Sequence, residues 1–234
     1  MNKNKEIVKA KKAFKKIKKI EIELSEGNFE NLDYFLQWSG HQGLSYALEW
    51  VSYYGKVDLI KKVLAARSNI VNDNASYDTA LQMACRNGHI DAVKYLVESG
   101  IFNNLPDLNI LLEVVENRHI EIATYLLSNE NIFGTNICDI HCDYDCAFRL
   151  TVQMNNTEMT KLLVKYGADI NVFDGYPLIH AAKMGFLDIV KLLLTLDIDI
   201  HTIPFAIDAA TINNHNDIVM LLTIHKNSLN GCVN

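Results

Sequence analysis

The sequence predicts an all-α solenoid: short helix-turn-helix units stacked side by side, each touching only its neighbours. Three observations carry that prediction. The segment Thr79–Gly100, TALQMACRNGHIDAVKYLVESG, recurs in degenerate copies before and after itself. A mid-unit turn residue returns at Gly27, Gly55, Gly88, Arg118, Asn155, Gly185 and Asn214, in steps of 28, 33, 30, 37, 30 and 29 residues. Each copy also carries apolar residues at helical spacing on either side of that turn.

The clearest copy shows how one unit works. Leu81, Ala84 and Cys85 line one face of a first helix, and Gly88 breaks it, because a left-handed turn costs glycine little. A second helix buries Ala92, Val93, Leu96 and Val97 and stops at Gly100. Neither helix can hide its apolar face alone, so copies must stack. In chain order the other copies are SEGNFENLDYFLQ (25–37), the second half of an irregular first unit; YALEWVSYYGKVDLIKKVL (46–64); NILLEVVENRHIEIATYLL (109–127); CAFRLTVQMNNTEMTKLLVKYGADIN (146–171); YPLIHAAKMGFLDIVKLLL (176–194); and FAIDAATINNHNDIVMLLT (205–223). Asparagine at 155 and 214 tolerates a left-handed turn, whereas Arg118 is the least comfortable occupant. The chain divides into a basic amphipathic helix or cap (1–20), a repeat domain of six clear copies and one partial copy (21–225), and a short polar tail (226–234).

Thr79–Gly100 resembles the ankyrin consensus T-P-L-H-x-A-x-x-x-G-H-x-x-V-V-x-L-L-L-x-x-G, and Gly167-Ala168-Asp169-Ile170-Asn171 is a close ankyrin signature. The W-x-x-L-G-x-x-Y pattern of tetratricopeptide units is absent. Thr-Pro-Leu-His is worn to Thr79-Ala80-Leu81-Gln82 and Tyr176-Pro177-Leu178-Ile179. With abundant Asn and Ile and only three prolines, the chain resembles the ankyrin proteins of giant DNA viruses. The resemblance implies a non-enzymatic, monomeric scaffold without cofactor or small-molecule substrate, binding a protein partner through a concave groove and hairpin tips. It places the two residues before each turn in that groove: Tyr53 and Tyr54, Arg86 and Asn87, Glu116 and Asn117, Gln153 and Met154, Lys183 and Met184, Ile212 and Asn213. Tyr53, Tyr54 and Arg86 are the expected hot spot, since Tyr and Arg dominate such spots. Hairpin positions Asn74, Ala75, Ser76, Val172 and Phe173 extend it.

Residues 1–20 hold nine lysines and one glutamate, a balance of +8; with the whole chain at −6, the remainder carries −14. Ile7, Ala10, Phe14, Ile17 and Leu24 form an apolar stripe, interrupted at Glu21, so this segment reads first as a helix capping the stack. The alternatives are a nuclear-import signal around Lys15–Lys19, or a tether to an anionic membrane or nucleic acid through residues 1–20.

A hydrophobic fraction of 49% fits a folded soluble protein. No apolar run reaches the roughly 18 residues of a membrane helix, the lysine-rich start is unlike a secretory signal, and Asn2 excludes N-myristoylation. An intracellular, cytoplasmic protein (of the host cell, if viral) is expected, with the nucleus as alternative. Five cysteines then read as reduced thiols. Cys138, His141, Cys142 and Cys146 could in principle form a zinc quartet. Their spacing does not match paired C-x-x-C knuckles, however, and Cys146 falls at a first-helix start, so a reduced, extended hairpin loop without metal is preferred. No phosphate-cradling glycine loop, His-Glu-x-x-His or Gly-x-Ser-x-Gly occurs. His89, His119 and His215 recur after the turn, which marks them as architectural, and His180 reads as an interior or groove side chain. Asp58, Asp91, Asp188 and Asp217 recur near second-helix starts, where they favour the helix dipole.

Overall fold

The structure, a computed structural model, describes residues 2–67, 78–101, 110–128 and 138–231. Its helices pair along the chain as the copies require: α1 (Asn2–Ser25) with α2 (Leu32–Trp38), α3 (Gly40–Tyr53) with α4 (Val57–Arg67), α5 (Asp78–Arg86) with α6 (Ile90–Glu98), α7 (Ile110–Glu116) with α8 (Ile120–Ser128), α9 (Cys142–Gln153) with α10 (Thr157–Lys165), α11 (Val172–Met184) with α12 (Leu187–Leu193), and α13 (Ile203–Ile212) with α14 (Asn216–Gly231). Among the described residues there is no strand. Two compact units emerge, residues 1–108 with 131–135, and residues 109–130 with 136–234.

Within the first unit α1 packs on α3 and α3 on α5, while α4 packs on α6. Within the second, α7, α9, α11 and α13 stack in series, as do α8, α10, α12 and α14. The predicted stripes are the cores: Leu81, Ala84, Cys85, Ala92, Val93 and Leu96 are fully buried, and Phe148, Leu163, Leu178 and Leu193 fill the second unit. Asp58, Asp91, Asp188 and Asp217 stand in the first turns of α4, α6, α12 and α14, where a carboxylate faces the positive helix end.

The mid-unit turns are the most regular feature. Gly27, Gly55, Gly88, Arg118, Asn155, Gly185 and Asn214 all have positive φ, from 52° to 80°. The residue after each donates its N–H five residues back, as in His89 to Ala84 (3.0 Å) and Phe186 to Ala181 (2.9 Å), satisfying a carbonyl the helix end would orphan. Arg118 carries its left-handed strain with a compensation, since its Nη2 donates to the carbonyl of Met154 at 3.1 Å. Neighbouring copies are stapled at these turns. His89 Nε2 bonds to Tyr53 O (2.8 Å) and His215 Nε2 to Lys183 O (3.1 Å). Each ring lies over the previous turn glycine: a Cβ on Gly55 would meet the His89 ring at 2.6 Å, and one on Gly185 the His215 ring at 2.6 Å. The architectural reading of these two histidines has a geometric basis.

The N-terminal helix α1 runs to Ser25, and its C-terminal part supplies the first helix of the irregular first unit. Among its described side chains Ile20 and Leu24 are buried, whereas Phe14, expected on the apolar face, is 62% exposed. α1 packs on α2 and α3, and Lys16 lies over the Tyr34 ring of α2, 3.5 Å from its centroid. Tyr46 and Tyr54 donate their hydroxyls to the carbonyls of Glu21 and Ser25, both at 3.0 Å, and so cap the end of α1. Asn31 (2.9 Å) and Lys19 (3.2 Å) hold the Glu23 carboxylate and keep it below its ordinary range. At the other end, α14 continues through 226–231, so the described part of the expected tail is helical, with no proline to stop it before Gly231.

Candidate partner-binding surface

In the first unit, α3 presents Tyr46, Trp50 and Tyr53 at helical spacing, with ring centroids 6.2 Å (Tyr46–Trp50) and 5.3 Å (Trp50–Tyr53) apart. Tyr53 and Tyr54 are half-buried and in edge contact at 5.0 Å. Tyr54 is already committed to the neighbouring copy: its ring stands about where a Gly27 Cβ would sit, 3.0 Å away, and its hydroxyl is spent on Ser25. The Tyr53 ring packs on Trp50 and Tyr54 while its carbonyl meets His89 Nε2, and Arg86 is exposed at the end of α5. Asn87 donates its side-chain amide to Met83 O at 2.8 Å, a cap on its own helix. Asn74, Ala75 and Ser76 lie outside the described residues.

In the second unit, Asn117 and Asn213 repeat the Asn87 arrangement, donating to Glu113 O and Ala209 O, both at 2.8 Å. These recurrent asparagines do structural work at the helix end. Glu116 is exposed, and the Met154 carbonyl receives Arg118. Gln153 donates to the Tyr176 hydroxyl at 2.7 Å, which in turn lies 3.3 Å from His180 Nδ1, with the two rings stacked at 5.2 Å. Burial, and then the Lys183 charge, lower the His180 pKa, so its neutral imidazole can accept from Tyr176. Beside this network Lys183 and Met184 are exposed, and Ile212 is 78% exposed at the end of α13. Tyr176 and His180 join the surface although the two-residues-before-the-turn rule passes over them. The i, i+4 spacing of two aromatic rings on one helix was the available signal.

The hairpin tips of this unit follow their own period. Asp139, Asp169 and Asp199 each accept a hydrogen bond from the backbone N–H two residues on, all at 2.9 Å, and so start each tip alike. Successive tips are stitched together: Asp145 accepts from Asp169 N (3.0 Å), and Asn171 accepts from Asp199 N (3.0 Å) and donates to Asp197 O (3.1 Å). Val172 is buried, while Phe173 stands out from the surface beside Tyr144. Tyr144 lies outside the hairpin positions that the resemblance singles out.

In the segment Cys138–Cys146, residues 143–145 form a left-handed turn at the start of α9, held because Asp145 is buried between His141 Nδ1 (3.1 Å) and the Asp169 backbone. The candidate quartet is not gathered, and among the described residues no three His, Cys, Asp or Glu side chains are placed to hold a metal ion. Burial, reinforced by Asp139, pushes the Cys138 thiol up to about 12, which favours a protonated thiol over the thiolate a metal would need. No described helix is long and apolar enough to cross a membrane.

Stacked helix pairs, stapled at left-handed turns and presenting their variable residues at helix ends and hairpin tips, define a helical-repeat protein of the kind that recognises other macromolecules. A family model described as ankyrin repeats (3 copies) matches residues 44–138 and 111–203. The chain belongs to the ankyrin-repeat family, and its fold is the all-α ankyrin solenoid. It is 33% identical over 112 residues to alpha-latrotoxin-Lg1a of Latrodectus geometricus, covering 47% of this chain and 8% of that protein. Viral relatives are present as expected. A putative ankyrin repeat protein of Acanthamoeba polyphaga mimivirus is 26% identical over 146 residues (62% of this chain, 37% of the relative), and one of Fowlpox virus is 30% identical over 135 residues (54% and 24%). The chain thus spans well under half the length of these relatives. The ankyrin repeat domain of human ASB11 superposes with a TM-score of 0.56 at 20% identity, covering 76% of this chain and 82% of that one.

Proposed function

We propose that this protein is a non-enzymatic scaffold or adaptor that binds a protein partner inside the cell. Ankyrin repeats generally mediate protein–protein interaction, and the family is typically non-enzymatic. The observation that carries the reading is the surface on α9, α11 and α13. There the Gln153–Tyr176–His180 network adjoins exposed Met184 and Ile212, apolar anchors beside oriented polar groups. In the first unit the corresponding contacts are Tyr53 and Arg86; Tyr54 and the asparagines at 87, 117 and 213 support the helix ends that present them. Affinity capture comparing wild type with Tyr53→Ala/Arg86→Ala and with Met184→Ala/Ile212→Ala tests this. Each double variant should lose specific prey while its far-ultraviolet circular dichroism is unchanged. Equal recovery of every prey by both would sink the groove.

A second reading is favoured by α1. Phe14 (62%) and Ile22 (60%) are exposed on a helix that also exposes Lys11, Lys15 and Lys18. Apolar side chains set among lysines suit an anionic membrane surface better than nucleic acid, whose phosphates have no use for isoleucine. Flotation with vesicles containing phosphatidylserine, but not with neutral ones, should be lost in Phe14→Asp/Ile22→Asp, changes that spare the Ile20 and Leu24 anchors. Undiminished flotation of that variant would remove the tether.

A further inference from the structure

Two hairpin tips in the second unit carry side chains that folding alone does not ask for. Asp143, Tyr144 and Asp145 at one tip, and Phe173, Asp174 and Gly175 at the next, are all left-handed, with φ between 49° and 80°. Glycine and the short Asx residues accept that conformation, whereas bulky aromatic residues are strained by it. Tyr144 (φ 54°) and Phe173 (φ 51°) are also 69% and 55% exposed, so core packing does not offset the strain. Their rings meet each other instead, with centroids 5.6 Å apart. Arg149 braces the pair: its Nε and Nη2 donate to the carbonyls of Tyr144 and Asp143, both at 2.9 Å, and its guanidinium carbon lies 4.9 Å from the Phe173 ring centroid. Strained backbone retained under exposed side chains points to use rather than to architecture.

We infer that this aromatic tip docks a lysine- or arginine-bearing segment of the partner, an inference that rests on the protein-binding reading above. Aromatic faces attract cations, and Phe173 already holds one guanidinium. Asp143 and Asp174, next to the two aromatic residues in the chain, are exposed, and neither carboxylate is in an ion pair among the described residues. The chain after residue 20 carries −14, which draws the same sign of partner from a distance. An acidic segment would be repelled here, and a wholly apolar one would strip water from the carboxylates without replacing it.

The test uses the full chain and fluorescence anisotropy with a short labelled peptide alternating lysine and serine, against the same peptide with norleucine for lysine. The variant is Tyr144→Asn/Phe173→Asn, because asparagine keeps the left-handed turn. Its affinity for the lysine peptide should fall about tenfold, the loss of two exposed cation–aromatic contacts, while its thermal midpoint stays level or rises. Asp143→Asn/Asp174→Asn should instead flatten the salt dependence of binding. Equal lysine-peptide binding by wild type and the aromatic variant overturns the inference, as does equal binding of the norleucine peptide. A drop in the thermal midpoint of the asparagine variant also overturns it, since the rings would then be serving the fold. The groove reading fails separately: prey lost by Met184→Ala/Ile212→Ala but kept by Tyr144→Asn/Phe173→Asn leaves the groove standing and removes only this site.

Discussion

The turns inside the repeats and the hairpin tips between them both bend the chain with left-handed backbone, yet two of the tip positions, Tyr144 and Phe173, are aromatic. Inside the repeats the position is glycine or asparagine, or, at 118, an arginine whose guanidinium bonds to the next copy. The neighbouring ring then fills the space a side chain would take, as His89 does over Gly55 and His215 over Gly185. At the tips the same backbone carries Tyr144 and Phe173, with open water on one side. Where the fold needs the turn, the residue minimises strain. Where a partner is proposed to need the turn, strain is accepted to hold a ring outward.

Several substitutions would break or sharpen that contrast. The largest effect is expected at Gly185→Ala, which adds left-handed strain to a 2.6 Å encounter with His215 and should cost about 3 kcal/mol in chemical denaturation. Gly167→Ala is the control: its φ is 97° but nothing lies within 4 Å, so strain alone, about 1 kcal/mol, should appear. Equal losses at the two would mean that the ring staple does not matter. Next comes Arg118. Replacing it by alanine keeps the strain and loses the bond to Met154, for about 1 kcal/mol, whereas glycine relieves the strain and should come out near wild type. Two identical melts would show that Arg118 contributes nothing to its turn.

At the tips the sign reverses. Tyr144→Asn should leave stability unchanged or raise it by roughly 0.5–1 kcal/mol, since Asn visits the left-handed region more easily. A loss there would erase the distinction between turn and tip. The smallest effect belongs to His180. Its folded pKa is lowered from 6.5, so between the two values the unfolded chain binds the proton that the folded chain resists. Stability should therefore fall slightly as pH drops below about 6.5 and level off once the folded imidazole is protonated too. An NMR titration midpoint for His180 at or above 6.5 would contradict this.

Much of the framework could be read before any coordinates. The turn residues at 27, 55, 88, 118, 155, 185 and 214 follow from spacing, because one left-handed residue per unit is a local demand that glycine and asparagine answer visibly. The apolar stripes of α5 and α6 are legible for the same reason. Legibility ended where a residue's role depends on a neighbour distant in sequence. Phe14 and Ile20 lie on one lysine-rich helix, and periodicity could not say which would meet α2 and α3. The resemblance marks Tyr54 as a groove residue, whereas its ring covers Gly27 and its hydroxyl bonds to Ser25 O. The left-handed turn at 143–145 is held by the bond from Asp169 N to Asp145, a partner twenty-four residues away that spacing does not reveal.

The amino-acid sequence by itself determined that this chain is an ankyrin stack, because repeat identity is written in local spacing and each unit must bury the same two faces. Only the tertiary structure decided which exposed residues are available for recognition. Tyr54 and His89 are committed to carbonyls of the neighbouring copy, whereas Tyr144, Phe173, Met184 and Ile212 project outward. The physical reason is that a stacked repeat satisfies its polar groups across copies about thirty residues apart in sequence.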